Sequence, residues 1–188
     1  MPQVELSENN IYTRGTQLRS LVQDIAGPGG PHYENISSQN SLVIVLFDGE
    51  RGTHNVSDLR FRTCYRGFRV NYYELWKAAD QKQSIFYLEK AYLTLYRLNE
   101  PFHQNEEKEY LCFHCDLGES DEENASSVYA KCPHLHIKVA PDPIPKSHIG
   151  LAAQFSDLIF ENAASLTDTI KVTIDMIKSE ILENIDKQ

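Results

Sequence analysis

The chain lacks any apolar run that approaches the ~18 residues needed to cross a membrane as a helix. Its first residues have neither the basic start nor the apolar core of a signal peptide. Cysteine is also scarce, with four in 188 residues, and three of these lie close to histidines. Small secreted domains are usually dense in disulfides, so this usage favours reduced thiols or metal ligands. We therefore expect a cytoplasmic protein with no membrane partner.

An excess of positive charge is also missing, because the formal net charge is −9. Such a surface does not attract nucleic acid unless positive charge is concentrated locally. One window does concentrate it in four arginines, Arg60, Arg62, Arg66 and Arg69. Their alternation with apolar residues predicts a hairpin with one apolar face and one arginine-rich face.

The hydrophobic pattern predicts an α+β fold in a single domain, residues 1–188, with an antiparallel sheet of about five strands. A continuous apolar run at residues 42–47, closed by Asp48 and Gly49, indicates a buried strand that enters a turn. The polar residues 32–40 before it are predicted to form a loop.

Helical spacing predicts an N-terminal, a middle and a C-terminal helix. The first covers residues 16–26 and ends at Gly27. The second covers residues 84–98, although its β-favouring residues leave a strand open. The third begins near Ser165 and carries an isoleucine stripe made of Ile170, Ile174, Ile177, Ile181 and Ile185.

Residues 141–188 are predicted to form a proline-rich tether and a helical segment. Pro141, Pro143 and Pro145 exclude a helix interior and a central strand. The isoleucine stripe can pack on the sheet or bind a partner helix, from another protein or from a second copy of the chain. We expect the last helix to mediate such an interaction.

Chemically active residues concentrate between Tyr110 and His136. Strand-like alternation on both sides of residues 118–127 predicts a hairpin with a long acidic loop. Side chains alternate across a strand, so the first strand groups Cys112, His114 and Asp116, and the second groups Cys132, His134 and His136. An even pairing register would bring both groups to one face of the sheet, and an odd register would separate them.

One site that fits these residues is structural zinc. Its four ligands would be Cys112, Cys115, Cys132 and His134, with His136 as the alternative to His134. Residues three apart on a regular strand face opposite ways, so the first two cysteines would have to lie on a turn.

The other site is catalytic. His134 and His136 would act as general acid and base, or as ligands of a divalent transition metal, with His114 and Asp116 as support. Arg60 and Arg62 would hold a phosphate that gains negative charge in the transition state. This set suits phosphodiester cleavage in RNA or DNA, and in RNA the ribose hydroxyl is an internal nucleophile. Histidines on strands are also often structural, which leaves a non-catalytic protein-interaction module as the alternative.

A short pattern in this region resembles a known family. Asp116 at a strand end, followed by Pro133-His134-Leu135-His136 ahead of a helical tail, resembles the motif of small bacterial toxins of the TumE type. Leu46-Phe47-Asp48-Gly49 repeats part of the pattern earlier in the chain. The resemblance implies an RNA-directed enzyme, a toxin or defence-system component that is paired with an antitoxin.

Overall fold

The computed structural model describes residues 4–49, 55–79, 82, 84–98, 107–116, 134–137, 147–150 and 163–185. Nine strands among these residues form one antiparallel sheet. They are β1 (Glu5–Ser7), β2 (His32–Ser37), β3 (Ser41–Phe47), β4 (Phe61–Arg62), β5 (Phe68–Ala78), β6 (Ile85–Leu98), β7 (Glu107–Asp116), β8 (His134–Ile137) and β9 (Ser147–Gly150). The main order is β2-β3-β5-β6-β7-β8-β9, with β1 paired to β6 and β4 paired to β5.

Two helices of the described residues pack on one face of this sheet. The first is α1 (Glu8–Leu21) and the second is α2 (Ala163–Met176), which continues as a π-helical segment (Ile177–Leu182) and a last helical turn (Glu183–Ile185). No helix in the described ranges is both long enough and apolar enough to cross a membrane. The α+β fold and its antiparallel sheet agree with the prediction, whereas five strands were too few.

The N-terminal helix begins and ends earlier than the predicted residues 16–26. Its first turns contain asparagine, threonine and glycine, which are weak helix formers, so their helical state is not evident from the sequence. Tertiary contacts hold this part, because Arg14 is buried in the core. A Cβ atom at Gly15 would lie 2.3 Å from Cδ2 of Tyr33, so glycine is what allows α1 to approach β2.

The predicted middle helix is wrong, because its residues form β6. Along β5, the pairing passes from Lys90 directly to Leu88, which leaves Glu89 as an extra residue in a β-bulge. The bulge puts Leu88 and Ala91, three residues apart, on the same buried face. Spacing of this kind imitates the period of a helix, although the strand continues through it.

The predicted loop at residues 32–40 is also wrong in its first part, which forms β2. This strand pairs with β3 along its length and lies at the end of the sheet order. Its residues are exposed or half-buried. Polar side chains are tolerated on such a strand, so a polar composition did not distinguish it from a loop.

The first part of the isoleucine stripe, Ile170 to Ile177, packs into the core beneath the sheet. Leu166, Ile170, Ile174 and Ile177 are each at most 1% exposed. After Ile177 the next fully buried residue is Leu182, five positions on, because the π-helical segment widens the repeat. The predicted tether, residues 141–145, lies outside the described residues. Just after it, β9 adds a strand to the sheet.

A buried ion pair joins both helices to the sheet. Nε and Nη2 of Arg14 donate to the Glu74 carboxylate at 3.1 and 2.7 Å, and Nη1 donates to the hydroxyl of Thr167 on α2. The same carboxylate accepts hydrogen bonds from the Tyr72 hydroxyl at 2.7 Å and from Trp76 Nε1 at 3.0 Å. Arg14 and Glu74 are 1% and 0% exposed. The dense hydrogen bonding is what makes two charges tolerable in this core.

Candidate active site on the histidine face

The strands β7, β8 and β9 pair in an even register at their histidines. His114 lies opposite His134, and Cys112 lies opposite His136. His136 in turn lies opposite His148 on β9. Directly paired residues share a face of the sheet. These five positions therefore belong to the face opposite α1 and α2, which we call the histidine face.

Asp116 occupies the next position of the histidine face, opposite Lys90 on β6. The register thus brings the backbone positions of His114, Asp116, His134 and His136 to one region of the sheet. The other member of the predicted cluster, Cys132, lies outside the described residues, as does the acidic loop at residues 118–127.

Three aromatic rings form a row across the histidine face. Tyr73 on β5 lies opposite Tyr92 on β6, which lies opposite His114 on β7. The two tyrosine rings are stacked, with centroids 5.2 Å apart and planes inclined by 6°. The imidazole of His114 follows, with its centroid 5.2 Å from that of Tyr92 and its plane tilted by 35°. Each such contact contributes about 0.5–1.5 kcal/mol, so this aromatic row restricts the orientation of His114.

A row of small side chains lies next to the aromatic row. It consists of Asn71, Thr94 and Cys112, which are all buried. The Asn71 amide donates to the Leu59 carbonyl at 2.6 Å and to the Val56 carbonyl at 3.2 Å. The Thr94 hydroxyl lies 3.1 Å from the Cys112 sulfur. These contacts fix a small, polar floor between rows of larger side chains.

A slot with a volume of about 260 Å³ lies over this floor. The aromatic row bounds it on one side, and Tyr96 and Glu109, which are paired in the register, bound it on the other. Burial raises the pKa of Tyr96; Arg60 opposes this shift and Glu109 adds to it. The Tyr96 hydroxyl therefore keeps its proton at neutral pH and is able to donate a hydrogen bond.

The two arginines predicted to bind phosphate lie in different surroundings. The Arg60 guanidinium lies 3.9 Å from the ring centroid of Tyr96, in cation–π geometry, and so contacts a wall of the slot. Arg62 is 74% exposed, and its Nε donates to the Asp48 carboxylate at 2.9 Å. Arg69 on β5 lies between Arg62 on β4 and Tyr96 on β6 in the register. Positive charge therefore meets the histidine face at the Tyr96 end of the slot.

The two predicted zinc ligands on β7, Cys112 and Cys115, do not lie on the same side of the sheet. Cys112 lies on the histidine face, whereas Cys115 lies on the opposite face in the core and is 0% exposed. The turn that a shared zinc ion requires is absent here, because both cysteines lie within β7. Within the residues that the structure describes, no group of three or more His, Cys, Asp or Glu side chains is placed to hold a metal ion.

A larger cavity, of about 720 Å³, lies between α1 and α2. Polar residues of both helices line it, including Gln17, Thr167, Asp168 and Lys171. Its described lining contains no histidine or cysteine. We therefore place the candidate site in the smaller slot, which is lined by His114, Glu109 and aromatic rings and has Arg60 stacked on its Tyr96 wall.

The sequence did not reveal the tyrosines and the floor of the slot. Tyr92, Thr94 and Tyr96 alternate at a spacing of two, which would have placed them on one face if the segment had been assigned as a strand. The helical interpretation of residues 84–98 hid this pattern.

Comparisons with protein-family models, with curated proteins and with solved structures found no match for this chain. The function is therefore inferred from the geometry of the histidine face and from the chemistry of its residues.

Proposed function

We propose that the chain is a nucleic-acid phosphodiesterase that cleaves RNA at the histidine face. The observation that carries this proposal is the even register, which sets His114 opposite His134 and adds His136 to the same face. Two or more imidazoles on neighbouring strands supply a general acid and a general base near neutral pH. The tilted contact of His114 with Tyr92 supports a positioning role for His114, because a residue that orients a catalytic imidazole must itself be held in place.

The proposed reaction uses the ribose as its own nucleophile. One imidazole takes the proton from the 2′-hydroxyl, and the 2′-oxygen forms a bond to phosphorus. The bond from phosphorus to the 5′-oxygen breaks, and the second imidazolium protonates the leaving oxygen. The products are a 2′,3′-cyclic phosphate and a 5′-hydroxyl, so protons and bonds balance. His134 and His136 carry the two proton transfers, with His114 and Asp116 as positioning residues.

Arg60 supplies the positive charge that the phosphate needs in this scheme. A guanidinium binds phosphate oxygens through charge-assisted hydrogen bonds. Its stacking on Tyr96 keeps it at the wall of the slot. The net charge of −9 disfavours binding of nucleic acid to the surface as a whole. Binding depends on the local potential, however, and arginines raise that potential near the slot.

The resemblance of Asp116 and Pro133-His134-Leu135-His136 to TumE-type toxins points to the same substrate. A non-catalytic interaction module is the alternative from another class. The features that suggested this alternative are in part used within the chain, because Ile170, Ile174 and Ile177 of the stripe and Cys115 lie in the core.

The test is cleavage of a mixed RNA pool by the purified full chain, with and without added Mn²⁺ or Zn²⁺ and in the presence of a chelator. We expect cleavage that requires the ribose 2′-hydroxyl. His134→Ala and His136→Ala should each reduce the rate by about 10² to 10⁴-fold, the usual contribution of a positioned acid or base. The matched control is His32→Ala on β2, an exposed histidine that packs on Phe47 and lies away from the slot.

The melting temperature is measured for every variant. A wild-type protein that cleaves neither RNA nor DNA under any of these conditions would show that the proposal is wrong. Histidine variants that lose activity only because they unfold would assign the pair to a structural role. Loss of RNA binding in Arg62→Ala but not in Arg60→Ala would move the phosphate contact to the outer arginine.

A further inference from the structure

The slot exists because of a regular alternation in side-chain size along three strands. Residues on one face of a strand are about 7 Å apart, so Tyr92 and Tyr96 are separated by roughly 13 Å along β6. Thr94 lies between them, and its neighbours in the register are Asn71 and Cys112. Large rings on both sides of small, buried residues leave a gap that the described side chains do not fill.

The size of this gap limits what can occupy it. Pockets for drug-sized ligands have volumes of about 300–1,000 Å³. At about 260 Å³ the slot is slightly smaller, which suits one planar ring system and excludes a helix or a duplex. Two tyrosines and an imidazole on one wall, and Tyr96 on the other, give the slot aromatic walls that suit a flat heterocycle.

Charged groups of both signs lie at the Tyr96 wall of the slot. Glu109 lines the slot, Arg60 stacks on the Tyr96 ring, and Arg69 lies opposite Tyr96 in the register. A ligand whose ring enters the slot would therefore place an attached anionic group beside a guanidinium. A nucleobase linked through its sugar to a phosphate has this arrangement.

We propose that the slot binds one unpaired nucleobase of the RNA substrate and thereby selects single-stranded RNA. This inference rests on the proposed function, since it names the substrate class of the same face. A base that is stacked and paired in a duplex cannot enter a slot of this size unless it leaves the stack. Binding of one base would also place the adjoining phosphate on the Arg60 side of the slot.

The proposal is tested by calorimetric titration of the full chain with the four nucleoside 5′-monophosphates and with ribose 5-phosphate. Ribose 5-phosphate has the same sugar and phosphate but no base. We expect at least one monophosphate to bind about tenfold more tightly than ribose 5-phosphate, the scale of one base–aromatic stack. Tyr92→Leu should remove this difference. Tyr87→Leu is the matched control, because Tyr87 is a half-buried tyrosine of the same strand that does not line the slot.

A second variant covers the case in which Tyr92→Leu fails to fold. Ser57 is an exposed residue of a short 3₁₀ turn (Val56–Asp58) and lines the slot, so Ser57→Leu should obstruct it without disturbing the core. Equal binding of the monophosphates and ribose 5-phosphate would overturn the proposal. So would a base-dependent difference that survives both Tyr92→Leu and Ser57→Leu.

The outcomes separate the slot from the catalytic proposal. RNA cleavage without base-dependent binding would overturn the slot and leave the phosphodiesterase function standing. Base-dependent binding without cleavage of any RNA would keep the slot and show that the proposed reaction is wrong.

Discussion

The two faces of the sheet are built from the same strands but use their polar groups in opposite ways. On the helix-covered face, Glu74 accepts four hydrogen bonds, and Arg14 links the sheet to both helices. On the histidine face, tyrosines and His114 are half-buried around a slot that the described side chains leave open. The first face uses its polar groups to hold the fold together, whereas polar and aromatic groups of the second line a slot.

This difference predicts that substitutions on the two faces have separable consequences. Changes on the helix-covered face should reduce stability, because they leave buried polar groups without partners. Changes on the histidine face should affect binding and cleavage more than stability. The following three predictions test the comparison.

The largest effect is expected at the buried ion pair. Arg14→Met would leave the Glu74 carboxylate without its cation in the core, which should cost about 3–5 kcal/mol of unfolding free energy. Urea denaturation measures this loss. The control is Arg19→Met on the exposed side of the same helix, for which we expect a change within about 0.5 kcal/mol. Similar losses for both variants would contradict a special role for the pair.

Two neighbouring tyrosines of β5 compare the faces directly. Tyr72→Phe removes a hydrogen bond to a buried carboxylate and should cost about 1.5–3 kcal/mol. Tyr73→Phe keeps the stacked ring on the histidine face and should cost less than about 1 kcal/mol. Denaturation of both variants under the same conditions is the measurement. If Tyr73→Phe is the more destabilising change, the assignment of roles to the two faces is wrong.

The smallest effect is an alkaline loss of stability. Burial, and then the Glu74 carboxylate, raise the pKa of Tyr72 well above its ordinary value of 10.0. Above pH 10 the unfolded chain therefore releases a proton that the folded chain retains, so stability falls as the pH rises toward the raised pKa. The slope is at most about 1.4 kcal/mol per pH unit for one group. Below pH 10 this contribution to stability is fully present.

The check is denaturation of the wild type and Tyr72→Phe between about pH 9 and pH 11. Because the variant lacks the titrating group, the stability difference between the two proteins should shrink as the pH rises. A constant difference would mean that Tyr72 loses its proton alike in the folded and unfolded chains.

The sequence predicted strands correctly where the hydrophobic pattern of a segment has one clear form. The apolar run at residues 42–47 is β3, and the alternation around His114 and His134 is the β7–β8 pair. The pattern failed in β6 because the bulge at Glu89 shifts its phase and because both faces carry apolar or aromatic residues. It missed the start of α1 because contacts across the fold, not local propensity, stabilise that part of the helix.

The sequence predicted the candidate site only on the condition that its strands pair in an even register. The residue types and the alternation of Cys112, His114 and Asp116 were evident, but parity of pairing is a property of two strands and cannot be read from either one. The slot required more, since Asn71, Thr94 and Cys112 come from three different strands. The partner of Arg14 lies 60 positions away along the chain, and no local signal marks it.

The contact between Arg14 and Thr167 spans 153 positions of the chain and bears on how the protein is made. A ribosome releases α1 and most of the sheet long before α2 emerges. Until then, the surface that Leu166, Ile170 and Ile174 later cover remains open to water and to other chains. Nascent chains with exposed apolar surface are prone to aggregate and are substrates for chaperones. We therefore expect the core of a new chain to be completed only after the last helix has been synthesised.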